Sequence, residues 1–195
     1  MNNRRLWLID AGYLNSVQRT LGEDFKLDYL KLRNKIEEDG EIWRAFFLTS
    51  SDKDESGNQF YNWLKTGKPL GPAIIVKIYG YKEIYLTKAF CDDCNSMTEV
   101  LCKNKTGNAP HRIHKREQKG VDVGLATLAL TMLDSYDTLV LSSGDADLLD
   151  AIEYILNVAH KKLELVVFRH GVAGDLQCRA DKIHWINDFA SEVSK

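Results

Sequence analysis

Short apolar runs alternate with stretches of helical spacing along most of the chain. The first three runs have the length and composition of buried strands and cover Leu6 to Ile9, Ile42 to Leu48 and Ala73 to Tyr79. Between them, residues 27–36 and Glu55 to Lys65 have the three- and four-residue spacing of amphipathic helices. This alternation predicts βαβ units and an α/β fold with a mostly parallel central sheet.

The alternation stops near residue 81 and resumes after residue 118. The elements predicted after the break are a helix over 123–133, a strand over 138–141, a helix over 147–158, a strand over 163–168, a helix around 175–180 and a short strand near 183–186. Within the break, residues 84–86 could form a short edge strand, whereas residues 91–118 combine turn residues, cysteines and charge without a helical period. We therefore expect one domain over residues 1–195 with an insertion at about 81–118.

The composition is that of an ordinary globular domain. No apolar run approaches the roughly 20 residues that a membrane-spanning helix needs. The residues before Leu6 do not contain the hydrophobic stretch that directs secretion. We therefore expect a cytoplasmic protein that has no membrane partner.

Carboxylates follow the ends of two predicted strands. Asp10 ends the first strand, and Asp145 and Asp147 come shortly after the strand over 138–141. Asp122 opens the helix that leads to that strand. Open α/β sheets bind ligands in the crevice at the carboxyl ends of their strands, so these acids can meet there despite their separation in sequence. Unpaired carboxylates in one crevice repel one another and require a cation, and a hard ion such as Mg²⁺ takes oxygen ligands.

Each acid also has a purely structural interpretation. Asp145 or Asp147 could cap the helix that follows. Asp10 could stabilise its own turn, and Asp122 could be a first-turn acid favoured by the helix dipole. We favour a shared site because the structural role must be assumed separately for every acid. Gly144, just before Asp145, is expected to allow backbone angles that other residues resist.

Three ordered blocks of sequence carry a family resemblance. They are Ile9-Asp10-Ala11-Gly12-Tyr13-Leu14-Asn15, Lys119-Gly120-Val121-Asp122-Val123-Gly124-Leu125-Ala126 and Ser143-Gly144-Asp145-Ala146-Asp147-Leu148. Together they resemble the signature blocks of NYN-domain proteins, the LabA-like members of the PIN-like nuclease superfamily. Residues 176–181 are similar to the closing motif of that family.

The resemblance implies a Rossmann-like, PIN-type three-layer fold and activity on RNA. It also implies one Mg²⁺ or Mn²⁺ site with the ligands Asp10, Asp122, Asp145 and Asp147. We therefore expect a metal-dependent nuclease, and more specifically an endoribonuclease that hydrolyses phosphodiester bonds. The alternative is a catalytically inactive PIN-like module that binds RNA or a protein. Loss of an acid would favour that alternative, and all four acids are present.

A basic segment ends beside the second block. Six Lys or Arg residues and one Glu lie between Lys103 and Lys119. A basic segment beside an acidic site favours binding of a phosphate-rich polymer, which is RNA or alternatively DNA. A solvated basic loop without a ligand would have the same composition. The candidate substrate-binding residues are Asn15, Ser142, Ser143, Arg112, Lys115, Arg116 and Lys119. Asn15 could equally be an ordinary polar residue of the first helix, and a homo-oligomer is left open.

The predicted insertion contains candidate zinc ligands. These are Cys91, Cys94, Cys102, His111 and His114. The Cys-x2-Cys spacing is that of a zinc knuckle, and two further ligands would complete a tetrahedral structural site. The regular second pair of cysteines is missing, so ordinary reduced thiols or a redox pair are the alternatives. Cys178 is expected to be a buried apolar residue of the last helix.

Overall fold

The computed structural model of the protein describes residues 3–51, 57–104 and 111–195. Its strands, in chain order, are β1 (Arg5–Asp10), β2 (Ile42–Ser50), β3 (Ile75–Tyr79), β4 (Tyr81–Leu86), β5 (Lys88–Cys91), β6 (Ser96–Glu99), β7 (Ile113–Gln118), β8 (Thr138–Ser142), β9 (Lys162–Val167) and β10 (Lys182–Trp185). Its helices are α1 (Ala11–Val17), α2 (Tyr29–Ile36), α3 (Gln59–Lys65), α4 (Val121–Thr131), α5 (Leu149–Asn157), α6 (Gly174–Arg179) and α7 (Ala190–Val193). Every helix in this part of the chain is too short or too polar to cross a bilayer.

Six strands form one parallel sheet in the order β10-β9-β8-β1-β2-β3. β1 lies between β8 and β2, where Leu8 is in register with Leu141 on one side and Phe46 on the other. All residues of β1 are buried, as expected for a parallel strand that helices cover on both faces. The predicted α/β fold with a parallel central sheet is confirmed.

Alternate residues of β1 enter two separate cores. Trp7 and Ile9 pack in a core with residues of α1, α2 and α3. Leu6 and Leu8 pack in a second core with residues of α4, α5 and α6. Successive side chains of a strand point to opposite faces, so the two sets of helices cover the sheet from both sides. The predicted three-layer arrangement is therefore confirmed as well.

Residues 81–118 form antiparallel strand pairs outside the six-stranded sheet. β4 pairs with β7, so that Tyr81 lies opposite Gln118 and Leu86 lies opposite Ile113. β5 and β6 form a hairpin between them in sequence. The short strand predicted at 84–86 is therefore present within β4, but it pairs with β7 and does not extend the edge of the main sheet.

Several helices begin at residues other than those predicted. α3 begins at Gln59, because the Asn58 side chain accepts hydrogen bonds from the first backbone N–H groups of the helix. The predicted start at Glu55 lies outside the described residues. α4 begins at Val121, directly after Gly120, which has a positive φ of 85°. The helix predicted from Asp147 starts with a 3₁₀ turn, Ala146–Leu148, before α5.

A buried ionic network lies at the amino end of β1. The Arg5 guanidinium donates hydrogen bonds to the carbonyl oxygens of Ile36 and Gly40 and to the Glu164 carboxylate on β9. His184 Nε2 on β10 lies 3.1 Å from the same carboxylate. Burial alone would raise the pKa of Glu164, but the hydrogen bonds from His184 and Arg5 outweigh burial and lower the pKa to about 2. The network therefore joins three strands of the sheet through one ionised carboxylate.

Candidate metal centre

Asp10 lies where β1 ends and α1 begins, and its carboxylate is only 8% exposed. One carboxylate oxygen accepts a hydrogen bond from the backbone N–H of Tyr13 at 3.0 Å and caps α1. The hydroxyl of Ser143 donates to the other oxygen at 3.3 Å. The structural role considered for Asp10 is therefore present, and a second contact ties the carboxylate to the end of β8.

Asp145 and Asp147 lie in the turn after β8. Asp145 Oδ1 accepts a hydrogen bond from the backbone N–H of Asp147 at 2.9 Å, so Asp145 caps the 3₁₀ turn. The backbone N–H of Asp145 donates to the Ser143 hydroxyl at 3.3 Å. Asp147 is not needed as a cap, and its side chain is exposed. Ser143 thus links the carboxylate of Asp10 to the backbone that carries Asp145.

Asp122 lies in the first turn of α4, as predicted for an acid favoured by the helix dipole. The residue before α4, Gly120, is in the left-handed region with a φ of 85°, which explains why glycine stands in this position. A Cβ on residue 120 would also lie 3.0 Å from the ring of Tyr79. Tyr79 ends β3, so this contact fixes the start of α4 against the sheet.

The four acids influence one another electrostatically and define what we term the carboxylate crevice (Asp10, Asp122, Asp145 and Asp147). Burial raises the pKa of Asp10, and the charge of Asp122 raises it further, against hydrogen bonds from Tyr13, Ser143 and Gly12. Partial burial raises the pKa of Asp122, and the charges of Asp145 and Asp147 raise it further. Within the described residues, none of these four carboxylates forms an ion pair with Lys, Arg or His. A divalent cation would relieve this repulsion, so the donor set fits Mg²⁺ or Mn²⁺.

The crevice is not closed into a complete ligand shell. Among the described residues, no group of three or more Asp, Glu, His or Cys side chains has the arrangement of a metal site. Asp10 and Asp145 each direct an oxygen at a backbone N–H group. The structure therefore brings the four acids to one end of the sheet, and whether they ligate a metal stays a prediction.

Gly144 is required for a reason that differs from the predicted one. Its φ is not positive, so no special backbone angle is involved. A Cβ on residue 144 would lie 1.9 Å from the carbonyl oxygen of Gly171 and 2.7 Å from the Tyr13 ring. The backbone N–H of Ala173 also donates to the Gly144 carbonyl oxygen at 3.0 Å. Gly144 therefore allows the loop after β9 to approach the turn that carries Asp145.

Gln118 is a crevice residue that the sequence did not suggest. Its side-chain oxygen and Asp10 Oδ1 lie 3.1 and 3.2 Å, respectively, from the position that a Cβ on Gly12 would occupy. The end of β7 and the carboxylate of Asp10 therefore both approach Gly12. Gln118 directly precedes the Lys119-Gly120 pair of the second block, but a polar residue at the end of a charged stretch gives no signal of this contact.

The predicted substrate-binding residues occupy different environments. Ser142 and Ser143 are fully buried. Ser142 Oγ accepts a hydrogen bond from the Trp7 indole at 2.9 Å, so this hydroxyl belongs to the core and offers no surface to a substrate. Asn15 is exposed on α1, where its side-chain oxygen accepts from Gln18 at 3.3 Å. We therefore correct the prediction for the two serines, since Ser143 positions Asp10 and Ser142 stabilises the core.

The basic residues predicted to bind substrate lie on or next to β7, and acidic neighbours offset the charge of several of them. Lys115 and Lys119 lie 2.5 and 3.3 Å from Glu117, and Arg116 lies 3.2 Å from Glu83. Arg112 is exposed just before β7. Lys105, another member of the predicted basic segment, is outside the described residues.

The five candidate zinc ligands form two separate pairs and one isolated residue. The Cys91 sulfur accepts hydrogen bonds from the backbone N–H and from the thiol of Cys94. Both bonds lower the pKa of Cys91, and the backbone N–H contributes more. His111 Nδ1 lies 3.4 Å from Cys102 Sγ, while the His114 ring lies 5.8 Å from the ring of Tyr85. The described residues thus contain no complete zinc site, and zinc binding stays a prediction. The cysteine predicted to be buried, Cys178, is exposed on α6.

Comparisons with known proteins bear on the fold and the family. The fold is similar to that of a crystal structure of a protein of unknown function from Vibrio parahaemolyticus, with a TM-score of 0.61, 16% sequence identity and coverage of 100% of this chain and 98% of that chain. No curated protein matches the sequence. The family model of the NYN domain matches residues 6–187, which include all four acids. The chain therefore belongs to the NYN domain family, which has the fold of PIN-like nucleases.

Proposed function

We propose that the protein is a metal-dependent endoribonuclease that hydrolyses RNA phosphodiester bonds at the carboxylate crevice. The observation that carries the proposal is the convergence of carboxylates from the end of β1, the start of α4 and the turn after β8, without a cationic partner among the described residues. A protein gains no stability from such repulsion, which adds to burial in raising the pKa values of Asp10 and Asp122. Carboxylates that converge without a cationic partner favour a site for a divalent ion.

The chemistry of the donors favours Mg²⁺ or Mn²⁺ at this crevice, held by Asp10, Asp122, Asp145 and Asp147. All four donors are carboxylate oxygens, which hard divalent ions prefer. Such an ion supplies charge stabilisation to a phosphodiester under attack and makes water more acidic. Water is the expected nucleophile, since the hydroxyl that is bonded to Asp10, that of Ser143, is fully buried.

The remaining crevice residues would position the acids and the polymer. Ser143 holds one oxygen of Asp10 and the backbone of Asp145. The amide of Gln118 lies near Gly12, as the carboxylate of Asp10 does, and would donate to a phosphate oxygen. Lys115, Arg116 and Lys119 continue from that point along β7, so RNA bound there through its backbone would be released by salt.

A cleavage assay with matched variants tests this proposal. Labelled RNA and DNA are incubated with pure protein in Mn²⁺, Mg²⁺ or EDTA. We expect metal-dependent internal cleavage of RNA, and Asp145→Asn should reduce it by at least ~10²-fold, as removal of other electrostatic stabilisers does. Asn can still accept the hydrogen bond from Asp147, so the turn should survive.

Asp150→Asn is the matched control, because Asp150 is an exposed acid in the first turn of α5. It should cleave as the wild type does. Cleavage that persists in EDTA, or that is equal in wild type and Asp145→Asn, would contradict the proposal. RNA binding without cleavage under any metal condition would favour the inactive binding module.

A further inference from the structure

The β4–β7 strand pair, here termed the ribbon, has one face that is entirely exposed. The residues on this face are Tyr81, Glu83, Tyr85, His114, Arg116 and Gln118. Alternate residues of paired strands point to the same side, so these six side chains form one surface. The other face is different, because Ile84, Leu86 and Ile113 on it are partly buried.

Contacts within the ribbon confirm this assignment of the exposed face. The rings of Tyr85 and His114 lie 5.8 Å apart. The Glu83 carboxylate lies 3.2 Å from Arg116 and 3.3 Å from the hydroxyl of Tyr85. These side chains come from both strands, and they contact one another across the ladder. The face is therefore a continuous surface of aromatic and charged groups.

This face begins at the carboxylate crevice. The side chain of Gln118, the last residue of this face on β7, approaches Gly12, as the carboxylate of Asp10 does. The chain then passes through Lys119 and Gly120 into α4, where Asp122 occupies the first turn. A polymer chain that lies along the ribbon therefore reaches the four acids without leaving the protein surface.

Two tyrosine rings on this face are available for stacking. Tyr81 is 39% exposed and Tyr85 is 56% exposed. They are four positions apart on one strand, roughly 13 Å, which is far more than one step between stacked bases of about 3.4 Å. The two rings would therefore receive two different bases that are not stacked on each other.

The charge around the rings favours a phosphate polymer over a protein partner. Residues 81–86 and 111–119 contain five Lys or Arg against two Glu. Bases in a duplex present their faces to neighbouring base pairs, whereas unpaired bases can stack on tyrosine. On the exposed face itself Arg116 is offset by Glu83, and the surplus cations lie on the other face or beside the ribbon: Lys82, Lys115, Arg112 and Lys119. They attract a phosphate chain to the ribbon, and the exposed rings of that face then suit a single strand.

We propose that the exposed face of the ribbon binds single-stranded RNA by stacking bases on Tyr81 and Tyr85, and so leads unpaired RNA into the carboxylate crevice. The inference rests on the proposed function for what happens at the crevice. It adds that the substrate is unpaired RNA and that selection occurs on the ribbon, at a distance from the four acids.

Binding measured without cleavage tests this inference separately from the nuclease activity. Fluorescence anisotropy in EDTA compares a labelled single-stranded RNA with the same strand annealed to its complement. We expect Tyr85→Ala and Tyr81→Ala each to weaken single-strand binding about 5- to 150-fold, the range that loss of one stacked base gives. Duplex affinity should be unchanged in both variants.

Two controls separate stacking from effects on folding. Tyr85→Phe retains the ring and should bind single-stranded RNA within about 2-fold of wild type, since stacking needs only the aromatic face. Tyr154→Ala removes another exposed tyrosine, on α5, and should not change the affinity. Thermal melting of each variant, expected within a few degrees of wild type, confirms that the ribbon is folded.

Three outcomes would overturn the inference. They are wild-type affinity of both Tyr→Ala variants for the single strand, an equal loss for single strand and duplex, and no binding of single-stranded RNA by the wild type. Absence of cleavage in Mn²⁺ together with the expected binding losses would instead overturn the nuclease proposal and leave the ribbon as an RNA-binding surface.

Discussion

The carboxylate of Asp10 and the hydroxyl of Ser143 form a 3.3 Å hydrogen bond across 133 positions of the chain. Asp10 ends β1 and Ser143 follows β8, and these two strands are neighbours at the centre of the sheet. The bond fixes a buried acid whose pKa is raised by burial and by the charge of Asp122. Such an acid costs stability, and under the proposed function a divalent ion would relieve that cost.

Manganese should raise the melting temperature of the protein, and Asp10→Asn should reduce that rise. A ligand present at 100 times its Kd stabilises the folded form by about 2.7 kcal/mol, or roughly 5 to 10 °C for a domain of this size. The metal-free Asp10→Asn protein should be at least as stable as wild type, because the substitution removes a repelling charge and retains a cap acceptor. Differential scanning fluorimetry with and without millimolar Mn²⁺ measures both effects. Asp134→Asn, at an exposed position after α4, is the control. If Mn²⁺ raises the melting temperature of Asp10→Asn and of wild type equally, Asp10 is not part of the site.

Gly144→Ala should destabilise the protein, because the new Cβ would lie 1.9 Å from the carbonyl oxygen of Gly171. The backbone on one side must move, at a cost of roughly 1 to 3 kcal/mol. The movement also displaces Asp145, so the response to Mn²⁺ should weaken. Urea unfolding of Gly144→Ala and Gly174→Ala provides the comparison, since a Cβ on residue 174 would contact nothing within 4 Å. A Gly144→Ala protein as stable as the Gly174→Ala protein would show that the two loops do not approach as described.

If the cysteines form a structural zinc site, the purified protein should contain close to one zinc per chain. The metal would have to bring the Cys91–Cys94 pair to the Cys102–His111 pair, which the described contacts leave apart. Cys94→Ser should release the zinc and leave the response to Mn²⁺ unchanged. Elemental analysis of protein purified without chelators or metal resin measures the content, with the exposed Cys178→Ser as control. Fully reduced, zinc-free wild type would identify these residues as ordinary thiols.

Acid should destabilise the protein partly through Glu164. Its folded pKa is about 2, below the unfolded value of about 4.3. The stabilisation is therefore complete above pH 5 and is lost as the pH falls toward 2. Glu164→Gln should lose on the order of 3 kcal/mol at pH 7 and lose less on acidification than wild type does. Urea unfolding at pH 7, 5, 4 and 3 measures this loss, and Glu23→Gln, at an exposed position, is the control. If the free energy of unfolding falls with pH in the same way for Glu164→Gln and wild type, the acid sensitivity arises from other residues.

The strands of the central sheet could be predicted because burial on both faces leaves little freedom in their composition. β1 is apolar over Leu6 to Ile9, and the structure buries all of these residues. The acids could be predicted for a related reason. Parallel strands end at one edge of a sheet, so Asp10 and Asp145 were expected at the same edge once the strands were identified. The structure adds that β1 and β8 are neighbours in that sheet.

The ribbon could not be predicted in the same way. Neither β4 nor β7 needs an apolar face, since most of their side chains are exposed. Their pairing joins residues 27 to 37 positions apart through backbone hydrogen bonds, which carry no signal in the side chains. The position of Gln118 near Gly12 depends on that pairing, and so does the exposed position of Tyr85.

Tyr81 and Gln118 are opposite each other in the ribbon, so the chain leaves the body of the protein and returns to it at nearly the same place. Opposed residues in an antiparallel pair are only about 5 Å apart, a gap that a two-residue turn can close. Everything between them could therefore be shortened, lengthened or exchanged without a change in the position of β3 or α4. The part of the molecule that surrounds the acids can vary as a replaceable module, while the sheet that holds them remains constant.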